Sequence, residues 1–451
     1  MTGNELRQAF LTFCSERGHT ILPSVPLVPE NDQSVLFTSA GMQSLIPNFM
    51  GEVHPGGRRL ANVQKCLRTD DIEEVGDISH LTFFEMLGFW SLGDYWKQDS
   101  LRWTLQWFTE VLGLEQERIA VTIFAGDSDA PRDNEAEQVW LSLGIPPERI
   151  YALQKEDNWW ELGGLPGPCG PDSELFYDTG RPAHGPDCRP GCHCGKYIEI
   201  GNNVFLQYNK TAEGRYEPLQ QRSIDVGLGF ERILCVLQGA EDVYTTDLFA
   251  PIVERISALH SQSSGKVQRV QRTPVQEQRL MRIIADHVRA TTFIIAEGIV
   301  PANVGRGYIC RRLLRRAIRC AHELNIPTGF LTDLGQIVIA SYRHTYPELE
   351  QRQSSILSEL AREEERFGKT LARGLREFQK SKERLRRDSG TMLTGETVFH
   401  LFDTFGFPPS LTMELAQEHG LSVDMEGFDQ LFKQHQERSR AANQEKFKRI
   451  F

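Results

Sequence analysis

The chain has 451 residues, 40% hydrophobic and 25% charged, which is enough apolar material for two or three packed domains and excludes an intrinsically disordered chain. Its formal net charge of −11 excludes indiscriminate nucleic-acid binding, so any basic surface has to select one anionic partner. No run approaches the roughly 20 apolar residues that span a bilayer and the first twenty residues carry scattered charges; six of the nine cysteines are dispersed through segments that read as packed structure, so the expectation is a cytoplasmic protein with reduced thiols and no membrane partner.

Residues 1–240 read as an α+β domain, rich in Gly, Pro, Trp and Phe, with strand-like runs "VLFTSAGM", "LTFFEML", "IAVTIFAG" and "YIEIGNNVFLQYN" between turn signals. In "NVQKCLRTDDIEEVGDISHLTFFEMLGFWSLGDYW" (62–96) a strand ends in Arg68, an acidic loop runs from Thr69 to His80, and a returning strand starts near Leu81. An arginine on a rigid strand offers a fork suited to phosphate, and aromatic rings beside it can sandwich a purine; an ordinary hairpin with a Phe core is the alternative. Farther on, "HGPDCRPGCHCGK" (184–196) gathers Cys188, Cys192 and Cys194 with His184 and His193 among turn-forming Gly and Pro. This predicts a structural Zn²⁺ with His184, His193 or Cys169 as fourth ligand, against a reduced glycine-rich loop or a redox-active pair. In "RSIDVGLGFERILCVLQG" (222–239) a strand carries Asp225, Gly227 and Gly229 allow close backbone approach, and Glu231 and Arg232 open a helix whose N-terminal end favours anions.

Residues 241–451 read as mostly helical. The stretch 260–278 is polar and predicts a surface loop, while Ile356, Leu360, Phe367, Leu371, Leu375, Phe378 and Leu385 recur at helical spacing. Between them, "VPANVGRGYICRRLLRRAIRC" (300–320) holds Arg306, Arg311, Arg312, Arg315, Arg316 and Arg319 and no acid. On a helical wheel five of these share about 140° of arc, opposite Ile309, Cys310, Leu313, Leu314, Ala317 and Ile318. The segment therefore predicts one packed face and one positive face open to a phosphate backbone.

The stretches 62–96 and 222–239 resemble motifs 2 and 3 of class II aminoacyl-tRNA synthetases. With "LVPENDQSVLFTSAGM", "HLTFFEMLGFWSLGDYW", "GPCGPDSELFYD", "YIEIGNNVFLQYN", "IADHVRATTFIIAEGIVPANVGRGYICRRLLRRA" and "LFDTFGFP" in order, the chain is similar to the alanine-specific branch of that family from residue 27 to 408. The resemblance implies a class II antiparallel sheet flanked by helices over 1–240, then a helical acceptor-stem recognition domain over 241–451. It implies ATP and Mg²⁺, formation of alanyl-adenylate from L-alanine, and transfer to alanine tRNA; in this form the chain is expected to act as a monomer. By position in the family motifs, Arg68 holds the α-phosphate and Arg232 the far phosphates, with His80, Met86, Gly227 and Gly229 near the nucleotide and Glu85 and Glu231 near adenine or metal. Asp225 receives the substrate ammonium, and Trp160, Asn202 and Val204 surround the small side chain. Asn303 and Asp403 match the pair that reads a G·U wobble, with Arg306, Arg311, Arg312, Arg315 and Arg316 on the RNA backbone.

Two departures stand out: Phe89 where the family usually has Asn, and Gly201 where it has Trp. Loss of the Trp at 201 is expected to enlarge or reshape the amino-acid side of the pocket, with Phe89 or Trp159 available to fill the space. The chain stops at "NQEKFKRIF", where family members commonly continue into editing and dimerisation regions, and shows no HxxxH of the editing type, so it reads as a catalytic fragment or a short enzyme. A synthetase-like RNA-binding protein without chemistry, and a small-amino-acid ligase with another acceptor, are the rival functions. Arg68, Asp225 and Arg232 disfavour the first, Asn303 with Asp403 the second.

Overall fold

The computed structural model describes residues 1–29, 35–70, 72–163, 165–192, 194–263 and 272–448. The chain divides into two compact units, Met1–Val253 and Glu254–Phe451. The division follows residue 253 because 241–253 packs on the first unit: Tyr244 and Phe249 are buried with ring centroids 4.9 Å apart, and the Tyr244 hydroxyl donates to the His80 carbonyl at 3.1 Å.

The first unit is built on a sheet of nine strands among the described residues: β1 (Thr20–Ile21), β2 (Arg59–Leu67), β3 (Phe83–Ser91), β4 (Ile119–Phe124), β5 (Ile150–Leu153), β6 (Trp159–Trp160), β7 (Gly167–Asp178), β8 (Tyr197–Lys210) and β9 (Tyr216–Gly229). The order is β1-β2-β3-β9-β8-β7-β4-β5, with β6 on β7. Every pairing is antiparallel except β1 with β2 and β4 with β5 at the two edges. The run "VLFTSAGM" does not join the sheet; it ends in a short 3-10 turn, Gly41–Leu45, lying so close to the Trp90 ring that a Cβ on Gly41 would stand 3.0 Å from it.

Register decides what faces where. Met86 pairs with Gly229, Gly88 with Gly227 and Trp90 with Asp225; Asn202 pairs with Gly227, Val204 with Asp225, and Glu174 with Asn202. With a side-chain period of two, these residues all share one face. Glu85, Leu87, Phe89, Val226 and Leu228 share the other, which is covered by the helix Gly3–Glu16 through Leu6, Phe10 and Phe13 and by the helix Phe230–Leu237.

Among the described residues the second unit is helical, apart from a two-residue parallel ladder between Met392–Leu393 and Ser422–Val423. Of the polar stretch 260–278, the ends are helix: one helix runs to Ser263, and the next, Pro274–Ala296, starts with a Thr273/Gln276 capping box and proline in its first turn. Residues 264–271 lie outside the described residues. The helix Gln353–Arg387 buries Ile356, Leu360, Phe367, Leu371 and Phe378 and half-buries Leu375 and Leu385, so its apolar periodicity is its packing face.

Candidate functional site

On the first of these sheet faces lies a cavity of about 330 Å³ lined by Arg68, His80, Met86, Trp160, Asn202, Val204, Asp225, Gly227, Gly229, Glu231 and Arg232. Antiparallel pairing brings together lining residues as far apart in sequence as Met86 and Gly229, 143 positions. Two glycines keep the floor flat. A Cβ at Gly227 would stand 3.0 Å from the Met86 sulfur, and one at Gly88 would stand 2.5 Å from the Trp90 ring. Because Gly88 leaves that space, the indole lies over the strand and its Nε1 donates to Asp225 Oδ1 at 2.7 Å.

Two guanidiniums enter from opposite sides. Arg68 sits over the Phe84 ring, 5.0 Å from its centroid, with Nε donating to the Ser39 carbonyl at 3.4 Å. Arg232, on the helix that follows β9, donates from Nη1 to Glu199 Oε2 at 2.6 Å. His80 is fixed by Asp77, whose carboxylate accepts from the His80 backbone N–H at 2.8 Å and meets Nδ1 at 2.5 Å. That hydrogen bond raises the His80 pKa above its ordinary value, against partial burial.

The carboxylates are in excess. Burial pushes Asp225 up to about 7, only partly offset by the Trp90 N–H. Burial also lifts Asp172, on the same face behind Asn202, to about 7, although the Asn202 and Asn158 amides donate to it at 3.0 and 2.8 Å. Glu174, pressed by burial and then by Glu199 and Asp172, goes up to about 10. Like charges this close cannot all ionise without cations to offset them, so an ammonium or a divalent cation bound among them would favour their ionised forms. Arg68 and Arg232 are the two guanidiniums among the lining residues, and Arg232 already pairs with the acid-rich side through Glu199.

Three expectations for this region change. Glu85 is not in the cavity: it lies one step out of phase on β3, fully buried on the far face, where Arg7 Nε donates to its Oε1 at 2.8 Å. Glu231 bonds the Glu85 backbone N–H at 3.1 Å and still reaches the cavity wall. Phe89 and Gly201 also belong to the far face and do not reshape the pocket; Phe89 packs on Phe10 and His19, and the place of a Cβ on Gly201 is taken by Leu228, 2.3 Å away. Trp159 stacks on Tyr208 at 5.6 Å and is not among the residues lining the cavity. Conversely, Asp172, Glu174 and Glu199 were missed. Alternation in "GPDSE" was signal enough for the first two, whereas Glu199 is turned inward by a register shift opposite Leu175/Phe176 that no pattern announces.

In the cysteine-rich loop, donor atoms of His184, Cys188, Cys192 and Cys194 lie within 4.8 Å of one another. Cys188 Sγ is 3.4 Å from Cys194 Sγ, and Cys192 Sγ is 3.2 Å from His184 Nδ1. Gly191 (φ 86) and Gly195 (φ 79) take left-handed turns that fold the loop around this centre. Cys169 is elsewhere, buried and donating to the Tyr208 carbonyl at 3.6 Å; His193 lies outside the described residues. All nine cysteines are free thiols.

The arginine helix, Gly305–Glu323, overturns its reading as an open positive face. Arg311, Arg315, Arg316 and Arg319 are buried, because acids absent from their own segment arrive from two other helices. Arg315 Nε donates to Glu363 Oε1 at 2.7 Å and Arg311 Nε lies 3.4 Å from the same oxygen; both meet the helix Gln353–Arg387. Arg316 Nε donates to Glu414 at 2.9 Å and Arg319 Nη2 to Glu418 at 3.0 Å, both on Pro409–Glu418. Burial alone would raise the Glu414 carboxyl, but Arg316 and Arg319 hold it down at about 2. Arg306 and Arg312 are half-buried. Asn303 and Asp403 remain exposed, and the arginines reach both neighbourhoods. Arg311 donates to Asn303 Oδ1 and, at 2.9 Å, to the Pro301 carbonyl; Arg315 donates to the carbonyl of Gly406, which ends the helix Gly395–Phe405 that carries Asp403.

The family of class II tRNA synthetases (A) matches residues 5–450. The alanine–tRNA ligases of Treponema pallidum and Borreliella afzelii are each 47% identical to this chain over 99% of its length, covering 73% and 74% of their own. That of Desulforamulus reducens is 42% identical over 99% of this chain and 49% of its own length.

Proposed function

The chain belongs to the class II (A) tRNA synthetases, and from that membership and the cavity's make-up we infer that it joins L-alanine to alanine tRNA at the expense of ATP. The observation that carries the reading is the convergence of Arg68, Arg232, Asp225, Asn202 and Trp160 on one face of the sheet.

In the first step an alanine carboxylate oxygen attacks the α-phosphorus, the bond to the β-phosphate oxygen breaks, and pyrophosphate leaves. Such chemistry is mostly positioning and neutralisation of charge. We assign Arg68 to the α-phosphate, with Phe84 beside it for the base, and Arg232 to the far phosphates; His80 and Met86 border the nucleotide, and Gly227 and Gly229 let it approach the strand. Asp225 takes the ammonium, while Asn202, Val204 and Trp160 bound the methyl. In the second step a terminal ribose hydroxyl attacks the adenylate carbonyl and AMP leaves.

The acid excess fits a divalent cation, and Glu174 and Glu199, with Glu231 at the rim, are the residues that would hold Mg²⁺; bound there it would neutralise phosphate charge. The loop of His184, Cys188, Cys192 and Cys194 is the Cys₃His donor set of a structural Zn²⁺. In the second unit, the Asn303 oxygen is engaged by Arg311, so its amide N–H groups remain to donate, whereas Asp403 can only accept. A G·U wobble leaves a guanine 2-amino donor free in the accessible minor groove, which suits Asp403. We take the chain to act as a single copy in the cytoplasm; no helix among the described residues is long and apolar enough to cross a membrane. The deciding experiment is amino-acid-dependent ATP–pyrophosphate exchange across the amino acids, then charging of tRNA with and without the wobble pair. Exchange with no amino acid, or charging blind to that pair, defeats the reading.

A further inference from the structure

With the arginine helix turned inward, a continuous exposed basic stripe among the described residues of the second unit lies on Gln353–Arg387. Arg362, Arg366, Lys369, Arg373, Arg376 and Lys380 follow one another at steps of four, three, four, three and four, and all six are exposed. At 100° per residue they fall within about 80° of arc, and from 362 to 380 no other residue does. The stripe is about 27 Å long, on the side away from buried Phe367, Leu371 and Phe378.

A solvated helix usually alternates charge at these spacings, because like charges three or four residues apart repel. Here acids flank the stripe without interrupting it. Glu359, Glu365 and Glu377 pair with Arg362, Lys369 and Lys380, exposed contacts of little strength that a phosphate can replace. Arg366, Arg373 and Arg376 have no ion pair among the described residues. Arg384 and Arg387, in the last turn, are accounted for by the helix dipole and are left out. On its other flank the same stretch holds the base-reading ends: Glu363 bonds Arg315 and sits by Arg311, and Phe407 packs on Phe367 and Gly374. Burial lowers the Arg311 pKa, and the nearness of Arg366 and Arg362 lowers it further.

We propose that this stripe, and not the arginine helix, is the surface that grips the phosphate backbone of the substrate tRNA. It rests on the reading of the chain as a tRNA ligase and names the backbone contacts of its RNA-binding half.

The test is a triple variant of the full chain, Arg366→Ala, Arg373→Ala and Arg376→Ala, titrated with tRNA by fluorescence anisotropy from 50 to 200 mM salt. Alanine on an exposed helix face favours the helix, so the fold is not at risk. Each lost phosphate contact removes roughly 0.7–0.9 from the slope of log K against log salt. The slope should therefore shrink by about 2–3, with at least about tenfold weaker binding near 150 mM, equally for wobble and Watson–Crick tRNAs. Lysine at the same three positions should restore most of the slope. A slope within about 0.5 of wild type overturns the proposal, as does loss of binding to phosphatidylserine vesicles while the tRNA slope stands. Binding is read without ATP or alanine, so a wild type that binds tRNA but never charges it would remove the ligase reading and leave this one measurable.

Discussion

Replacing Asp225 by asparagine keeps the size of the side chain and an oxygen for the Trp90 N–H, 2.7 Å away, but removes the charge. A hydrogen bond to a charged group is worth about 1.5–3 kcal/mol, so alanine should bind roughly 10- to 150-fold more weakly. The pH dependence is more specific. Burial holds Asp225 at about 7, and the ammonium needs it ionised, so wild-type affinity should plateau above pH 8 and fall about tenfold by pH 6. The asparagine variant should lack that component. Stability should move the other way. The folded-state pKa lies above the unfolded value of 3.8, so this group's stabilisation is full below pH 4 and lost as pH rises through 7, at most roughly 4 kcal/mol. Without ligand at pH 8, the variant should therefore melt higher than wild type. Calorimetric titration with alanine from pH 5.5 to 8.5, beside thermal unfolding of the empty protein, reads both effects. Alanine affinity within threefold of wild type with an unchanged pH profile would refute the placing of the ammonium at Asp225.

Arg68→Ala and Arg232→Ala should each lower pyrophosphate exchange by about 10²-fold or more through lost charge stabilisation, and near-normal exchange in either would sink its assignment. Protein purified without added metal should carry about one equivalent of zinc by elemental analysis; less than about 0.2, with unchanged melting after chelation, would leave a bare loop. Asn303→Ala and Asp403→Ala should narrow the charging preference for the wobble tRNA by roughly 1–3 kcal/mol per lost contact, and an unchanged preference would reduce both to surface polar groups. Arg316→Ala should cost about 1–3 kcal/mol of stability by leaving the buried Glu414 with Arg319 alone at 3.4 Å, whereas a free phosphate contact at that position would leave the melting temperature alone.

Much of the first unit was legible because it depends on local alternation: once β3 and β9 are strands, Met86, Gly88, Asp225 and Gly227 must share a face. The same rule, applied strictly, would have removed Glu85 and freed Phe89 from suspicion. Glu199 was beyond it, since a register shift breaks the alternation. The arginine helix shows a different limit. Helical periodicity correctly separated its apolar and basic sides, yet charge counted along the segment could not register Glu363, Glu414 and Glu418, which lie 48 to 99 positions away from the arginines they bind. The stripe on Gln353–Arg387 was readable at the spacing that had already given its apolar side, but acids between the basic residues hide it in a linear scan.

Glu363 ties together the surroundings of the two proposed reading residues. Its carboxylate accepts from Arg315 and lies beside Arg311; one arginine fastens the loop of Asn303 and the other the end of the Asp403 helix. The gap between these two proposed reading groups is thus set like the jaws of a caliper, with a single buried acid as its rivet. On the proposed reading of the wobble pair, Glu363→Gln would loosen both holds at once and shift tRNA preference without altering either reading residue.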